Sequence, residues 1–313
     1  MSDPGIVASV RQKLLNASKK LKMENEMLMR RYAFERLLGR LAASPFREDV
    51  CLKGAMAFLA ITGDFGRPTR DMDFAGIASM SPENALEMWR RIATVDIGDD
   101  GLEFLPESFT VTPIQEQSDE PGNRIEGEAR MGPSKIKLKI EMSYGHALTP
   151  GAIVTTYPTI LDEFPIPSVL CYSAETVMAE KFEAICSLGE RNSRFKDFYD
   201  IRGLARSVIF DADVAARAFK ATFARRETEL PLELPAVFLP AFEASGQRGW
   251  AAFLRKMGLQ DKQTFAEMVD EITPLVMGVV SHARGTPIMR HWEPGAGWQE
   301  GAEETDSRTV VPF

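Results

Sequence analysis

One run of eight residues constrains the fold more than any other part of the chain, because charged and apolar side chains alternate along it without a break. It reads Lys135-Ile136-Lys137-Leu138-Lys139-Ile140-Glu141-Met142. Successive side chains of a β-strand point to opposite faces, so the pattern predicts a strand with one buried apolar face. Glu141 lies on the other face with the three lysines, and the chain must supply partner strands for a sheet.

A second short segment, residues 67–74 with the sequence RPTRDMDF, places two acids two positions apart. If the segment is a strand, Asp71 and Asp73 share one face while Met72 and Phe74 point into the core. Two neighbouring carboxylates repel unless a cation lies between them. Mg²⁺ is commonly bound by one or two carboxylates together with substrate phosphates, so the pair is a candidate metal site.

The spacing of these acids leaves two interpretations open at each position. Asp71 and Asp73 could form a solvated acidic turn, with Arg67 and Arg70 as local partners. Glu141 could be the third carboxylate of a two-metal site, or it could form an ion pair with a base on a neighbouring strand. Spacing alone does not decide between them.

The bulk composition is that of an ordinary globular protein of one large domain or two modest ones. The 313 residues are 44% hydrophobic and 26% charged, with a net charge of -8. That charge argues against a general nucleic-acid coat, which needs a basic surface. Residues 11–40 are nevertheless rich in lysine and arginine. They could form a basic patch for a polyanion or simply a solvated helix face.

The remaining composition excludes other classes of function. The three cysteines and three histidines show no metal-ligand spacing, so no zinc site is expected and the thiols suit a reducing compartment. The N-terminal stretch has no signal-peptide pattern, and no apolar run is long enough to cross a bilayer. We therefore expect a cytoplasmic protein with no membrane partner.

Periodicity and capping signals predict the other elements. We expect helices over residues 4–43, 82–93, 174–188 and 194–206, a turn leading into a helix over 50–61, and strands over 70–74, 109–114 and 124–130. Ser81 is the predicted N-cap before Pro82. From residue 207 to about residue 282 the chain should be mostly helical, and the stretch from Arg284 irregular.

Two polar residues interrupt the apolar stripes of the predicted helices. Lys181 lies on a stripe of helix 174–188, and it either extends its ammonium to solvent or reaches an anion. Asp197 occupies a similar position in the next helix, with Asp200 about one turn on. A buried aspartate needs a partner, which Lys181 or Lys196 could supply in a purely structural bridge.

These motifs, taken in order, resemble the AbiEii/AbiGii family of nucleotidyltransferase toxins, a branch of the DNA-polymerase-β-like nucleotidyltransferases. The matching blocks are LKGA at 52–55, the segment 67–74, IEMSYG at 140–145, YPT at 157–159, AEKFEA at 179–184 and NSRFKDFYD at 192–200. The resemblance runs from about residue 10 to about residue 204. It implies an α/β (α+β) nucleotidyltransferase core, in which helices flank a mixed twisted sheet, over residues 1–205. A mainly helical C-terminal domain with an irregular tail would occupy residues 206–313.

The resemblance also implies roles for particular residues. Asp71 and Asp73 would hold metal ions with Glu141 as the third acid. Lys181 would contact phosphate or assist the attacking hydroxyl, and Asp197 would orient that lysine or another base. The implied nucleotide-binding residues are Lys53, Gly54, Ala55, Arg67, Thr69, Lys196 and Asp200, with Gly54 letting the backbone approach the triphosphate.

The sequence departs from the family pattern at three positions. Ala55 stands where the family usually has Ser or Gly, Glu141 where many members have Asp, and His146 where many have an acid. The first removes a side-chain hydroxyl beside the glycine. The second makes the third acid one methylene longer.

The function implied is transfer of a nucleotide from a nucleoside triphosphate (NTP) to an RNA acceptor, tRNA, with Mg²⁺ or Mn²⁺. The chain would be the toxin of a bacterial toxin–antitoxin or phage-defence system, with an antitoxin encoded by a neighbouring gene. The N-terminal basic helix, Lys135, Lys137 and Lys139 are candidate RNA contacts. Two alternatives stay open: modification of a protein or small-molecule hydroxyl, and a non-catalytic nucleotide-binding module.

Overall fold

The computed structural model describes residues 2–64, 67–114, 121–300 and 310–311. The chain divides into two compact units. The first comprises Met1–Gly63, Pro68–Gly145 and Val154–Cys171, and the second comprises Asp64–Arg67, His146–Ile153 and Tyr172–Phe313. The domain boundary predicted near residue 205 stays a prediction.

The first unit combines helices with most of the strands. Its helices are α1 Pro4–Leu21, α2 Asn25–Ala42, α3 Gly54–Thr62 and α4 Pro82–Ala93. Its strands are β1 Val50–Lys53, β2 Met72–Gly76, β3 Glu103–Ile114, β4 Gly122–Met131, β5 Ser134–Tyr144 and β7 Ser168–Cys171, with part of β6 Ala152–Thr156.

These strands form a mixed sheet in the order β6–β7–β1–β2–β5–β4–β3. Strand β1 is antiparallel to β2 and parallel to β7, β2 is parallel to β5, and β4 is antiparallel to β3 and β5. Helices α2, α3 and α4 pack against strands of this sheet. The predicted α/β class, with helices flanking a mixed sheet, is confirmed.

Strand β5 follows the predicted alternation. Its apolar positions are all buried, with exposures of 4% for Ile136, 2% for Leu138, 1% for Ile140 and 0% for Met142. Burial of four large side chains on one face fixes the register, since a shift by one residue would place the charged face in the core.

Three predicted elements differ from those of the structure, each for a physical reason. Residues 50–53, expected to form a turn leading into a helix, instead form strand β1, because their backbone pairs with β2 and β7 and Val50, Cys51 and Leu52 are buried. The single N-terminal helix expected over 4–43 is two helices, because Lys22 adopts a left-handed conformation with φ of 52° and ends α1. Strand β3 begins at Glu103 rather than near 109, and its register with β4 shifts between Leu105 and Thr110. That irregularity surrounds Pro106, which has no N–H for the ladder.

The second unit is mainly helical, as predicted. It contains α5 Ala174–Leu188, α6 Phe195–Ser207, α7 Ala212–Arg225, α8 Glu243–Met257 and α9 Phe265–Ala283. Its short strands are β8 Phe210–Asp211, β9 His291–Glu293, β10 Gly297–Gln299 and β11 Val310–Val311, which pairs with Ile153 and Ala152.

Strands β9 and β10 lie in the tail that the sequence predicts to be irregular. They form an antiparallel hairpin in which Trp292 and Trp298 are directly opposite, with ring centroids 5.8 Å apart. Cross-strand aromatic pairs stabilise such hairpins. Gly295 and Gly297, with φ of 79° and 81°, make the tight connection. The rest of the predicted tail, 301–309 and 312–313, lies outside the described residues.

A buried ion cluster ties α2 to the loop before β3. Arg40 Nη1 lies 2.6 Å from Asp100 Oδ2, and Arg36 Nε lies 3.3 Å from the same oxygen. Replacing Asp100 by Ala removes the carboxylate that both buried guanidinium groups share, although Glu35 stays 3.9 Å from Arg36 Nη1. We therefore expect a loss of about 3–5 kcal/mol in unfolding free energy. Chemical denaturation measures the loss. Glu48→Ala, which removes the exposed partner of Arg47, is the control and should cost less than about 1 kcal/mol. Equal losses would contradict this assignment.

Glu35 should make stability depend on pH. Burial raises its pKa from 4.5 to about 7, against the opposing effects of the Ile160 N–H, which donates to Oε2 at 2.8 Å, and of Arg36. Because the folded-state pKa is the higher one, the stabilisation is fully present below about pH 4.5 and is lost as the pH rises through about 7. The stability of the native chain relative to Glu35→Gln should therefore fall by about 2–3 kcal/mol over that range. Denaturation of both proteins across the range measures the difference, and a constant difference would exclude the effect.

Candidate active site

The acids of the first unit come together because β2 and β5 pair in parallel. Asp73 is directly beside Glu141 in the register, and Met72 beside Ile140. Met72 and Phe74 are fully buried while Asp71 and Asp73 are partly exposed, as the predicted alternation requires. The register thus brings the Asp71–Asp73 pair to the face of the sheet that carries Glu141.

Asp71 lies immediately before β2 and is held by a local hydrogen bond. The Thr69 hydroxyl donates to Asp71 Oδ1 at 2.8 Å. This contact orients one oxygen of the carboxylate and gives Thr69 a position beside the acid. The nucleotide-binding role implied for Thr69 stays a prediction.

Two bases on neighbouring positions hold Glu141. Arg124 is directly opposite it on β4 and donates from Nε to Oε1 at 2.9 Å. Lys139 Nζ lies 2.7 Å from the same oxygen and 3.5 Å from Asp71 Oδ2. Glu141 therefore forms ion pairs with neighbouring bases, which is one of the two interpretations that its position in the sequence left open.

The electrostatics keep Lys139 charged. Partial burial lowers the pKa of its ammonium, but the hydrogen bond to Glu141 and the charges of Glu141 and Asp71 outweigh this, so the pKa is raised overall. Sequence reasoning missed Arg124, and it assigned Lys139 only to RNA. The i, i+2 spacing of Lys139 and Glu141 was the available signal for the lysine, whereas the role of Arg124 depends on strand register.

Gly54 makes room for Asp73. It is the first residue of α3, with φ of 67°, and a Cβ atom there would lie 2.1 Å from Asp73 Oδ2. Lys53, which precedes the helix, is directly opposite Asp73 in the β1–β2 register. A glycine is thus required by the aspartate as well as by the backbone conformation. Ala55 follows as the second residue of α3, and nucleotide contacts of Lys53, Gly54 and Ala55 stay predictions.

The residues that fit a divalent cation are Asp71 and Asp73. Both supply hard carboxylate oxygens, and the absence of a Cβ at Gly54 lets the Asp73 carboxylate lie against the start of α3. Within the described parts of the chain, no group of three His, Cys, Asp or Glu side chains is arranged to hold a metal ion. Glu141 already accepts from two bases, and its metal role stays a prediction.

The second unit holds a separate buried cluster around Asp200. Arg67 donates to both oxygens of Asp200, with Nε–Oδ1 and Nη2–Oδ2 distances of 3.0 Å, and Lys181 Nζ lies 2.6 Å from Oδ2. Burial raises the pKa of Asp200, but Lys181 and Arg67 outweigh it and hold the pKa below its ordinary value. Asp200 is therefore ionised in the folded protein.

Lys181 bridges the two aspartates of α6. Its Nζ is 3.4 Å from Asp197 Oδ1, and Asp197, which is fully buried, also lies 2.7 Å from Arg194 Nε. The Lys–Asp bridge anticipated from the helical stripes is thus formed by Lys181. Desolvation lowers the pKa of Lys196, although Asp197 opposes the effect. The catalytic roles implied for Lys181 and Asp197 and the nucleotide roles of Arg67, Lys196 and Asp200 stay predictions.

The two ends of α3 allow a matched test of the Gly54–Asp73 contact. Gly54→Ala and Gly63→Ala both place a side chain at positive φ, 67° and 69°, but among the described residues a Cβ at Gly63 meets no atom within 4 Å. Both should lose about 1–2 kcal/mol from left-handed strain. Gly54→Ala should lose a further 1–3 kcal/mol, roughly, because the new methyl displaces the Asp73 carboxylate. Denaturation of both variants measures this, and equal losses would show that the contact does not constrain the site.

Among the described residues, none of the helices combines the length and apolar character needed to span a membrane. No curated protein matches the sequence.

Two solved structures are similar in outline: JHP933 from Helicobacter pylori, and a candidate nucleotidyltransferase from the same organism. The first is 15% identical with a TM-score of 0.47, covering 83% of this chain and 94% of its own. The second is 15% identical with a TM-score of 0.48, covering 85% of this chain and 100% of its own.

The sequence itself matches a family model over most of its length. The match covers residues 36–271, and the family is described as the nucleotidyl transferase AbiEii toxin of type IV toxin–antitoxin systems. The matched range contains both clusters of charged residues described above. The chain belongs to the AbiEii family of nucleotidyl transferase toxins, and it is a nucleotidyltransferase.

Proposed function

We propose that the protein transfers a nucleotide from an NTP to an RNA acceptor, tRNA, in a metal-dependent reaction. Adding a nucleotide to the acceptor end of tRNA would block charging, which is how the protein would act as a toxin in the cytoplasm. The observation that carries the proposal is the placement of Asp71 and Asp73 on one face of the sheet, beside Gly54, in a chain of a nucleotidyltransferase family.

The metal part of the proposal depends on Asp71 and Asp73, the residues that fit a divalent cation. When bound, Mg²⁺ or Mn²⁺ would help align an acceptor hydroxyl with the α-phosphate and neutralise the charge of the leaving pyrophosphate. Thr69 orients Asp71 through its hydroxyl, and Gly54, having no side chain, leaves room for the Asp73 carboxylate. These residues position the two carboxylates before any ligand arrives.

The cluster of the second unit enters the proposal through the family resemblance. Lys181 would contact phosphate or assist the attacking hydroxyl, and Asp197 would orient it. The contacts within that unit support an orienting role, because Asp197 and Asp200 both lie within ion-pair distance of Lys181 Nζ. Arg67 shares Asp200 with Lys181, so the lysine is not the sole counter-ion of that aspartate.

The exposed end of α1 is the best supported contact for an RNA acceptor. Lys19, Lys20 and Lys22 are exposed and adjacent there. The lysines of β5 are weaker candidates, because Lys137 is directly opposite Glu128 on β4, and Lys139 lies beside Asp71 and Glu141. Phosphate contacts require positive charge that neighbouring acids have not compensated.

One observation favours a second candidate, in which the acceptor is a hydroxyl of a protein or small molecule. The net charge is -8, and two of the three β5 lysines, Lys137 and Lys139, are directly opposite acids on β4. The toxin role would be the same, since modification of an essential partner also stops growth. The cognate antitoxin would come from a neighbouring gene, and a role in phage defence would follow from the same activity.

A transfer assay tests the proposal. The purified protein is incubated with Mg²⁺, total tRNA and each α-labelled NTP in turn, beside the double variant Asp71→Asn, Asp73→Asn. We expect label on tRNA with the native chain and a loss of about a hundredfold or more in the variant, because metal-binding carboxylates contribute several kcal/mol. Glu48→Gln, at an exposed ion pair with Arg47, is the control and should transfer label normally.

Each other outcome has a definite meaning. Label on protein or on a small molecule, lost in the double variant, would establish the second candidate and exclude tRNA as the acceptor. Equal transfer by the native chain and the double variant would exclude the proposed metal ligands. Binding of NTP with no transfer to any acceptor would overturn the proposal in favour of a nucleotide-binding module.

A further inference from the structure

We infer that Lys139 is a built-in counter-cation of the metal site, which competes with the divalent ion and sets its affinity. The inference rests on the metal dependence in the proposed function, and it adds a residue that controls binding of the metal. Its basis is the position of one ammonium group, Lys139 Nζ, between Asp71 Oδ2 at 3.5 Å and Glu141 Oε1 at 2.7 Å.

The electrostatic reason lies in the arrangement of acids. The parallel register between β2 and β5 forces Asp71, Asp73 and Glu141 onto one face of the sheet. Without a cation, their mutual repulsion would raise the free energy of the folded chain. Lys139 is on the same strand and face as Glu141, two residues away. Its ammonium group therefore places a positive charge beside these acids.

The same contact opposes the metal. Asp71 is one of the two residues that fit a divalent cation, and its Oδ2 faces the lysine while Oδ1 accepts from Thr69. A cation that binds Asp71 would repel the ammonium and must displace it or share the carboxylate with it. Lys139 is about one-third exposed, so its flexible side chain has access to solvent when it is displaced.

Arg124 differs from Lys139 in a way that makes the inference specific. It contacts Glu141 from the opposite strand, at 2.9 Å, and stays as a partner of that acid when Lys139 moves. Glu141 is then the residue that holds Lys139 near Asp71, and it acts as an anchor for the lysine. This gives the third acid a defined role whether or not it also contacts the metal.

The test compares Lys139→Met with Lys137→Met. Methionine keeps most of the length of the side chain and removes the charge, and Lys137 is on the same face of the same strand two residues away. Binding of Mn²⁺ is measured by electron paramagnetic resonance of the free ion, with no NTP present. We expect Lys139→Met to bind Mn²⁺ about tenfold more tightly than the native chain, since one nearby like charge is removed from a partly solvated site. Lys137→Met should change affinity much less.

A second readout detects a variant that is merely misfolded. Without metal, Lys139→Met should unfold at a lower temperature than the native chain, and millimolar Mn²⁺ should restore more stability to it than to the native chain. Equal or weaker Mn²⁺ binding by a folded Lys139→Met protein, with the native chain binding Mn²⁺, would overturn the inference and leave the proposed function intact. An absence of Mn²⁺ binding in both proteins would overturn the inference together with the metal dependence.

Discussion

The parallel register between β2 and β5 is the constraint on which the first unit's site depends. It sets Asp73 beside Glu141 and puts Asp71 within reach of Lys139, so that acids and bases share one face of the sheet. The apolar face of β5 is fully buried and fixes this register, because a slip by one residue would exchange the two faces. Packing of the core therefore determines which charges meet. The positive charges of Lys139 and Arg124 then offset the repulsion between the acids, which allows the acids to remain close together.

The second unit solves a similar electrostatic problem by burial. Asp197 and Asp200 are completely buried, and their charges are matched by Lys181, Arg67 and Arg194. Burying charges in this way is costly, and well-packed apolar residues often give equal or greater stability. The cluster is therefore not explained by stability alone. Its effect is to hold the Lys181 ammonium in a defined position, which is what the proposed role of that lysine needs.

Local patterns in the sequence predicted the parts of the fold that depend on local physics. The alternation from Lys135 to Met142 predicted β5, and the Ser81 cap with Pro82 predicted the start of α4, where Ser81 Oγ accepts from the Asn84 N–H. The Lys181 bridge also followed from helical spacing. Contacts set by strand pairing did not follow in the same way. Arg124 meets Glu141 only because of a strand register that no local pattern specifies.

The charge on one strand therefore has to be interpreted together with the charge on the strand that pairs with it. Lys135, Lys137 and Lys139 form a basic row in the sequence, and that row suggested an RNA surface. Once β4 is paired with β5, Glu128 is opposite Lys137 and Glu126 is opposite Lys139. Opposite charges across a strand pair attract and reduce the field available to a phosphate. The acceptor would then be guided by exposed charges elsewhere, such as the lysines at the end of α1. Lys139, which lies nearest the acids, pairs with carboxylates instead, so the proposed acceptor surface would lie apart from this face of the sheet.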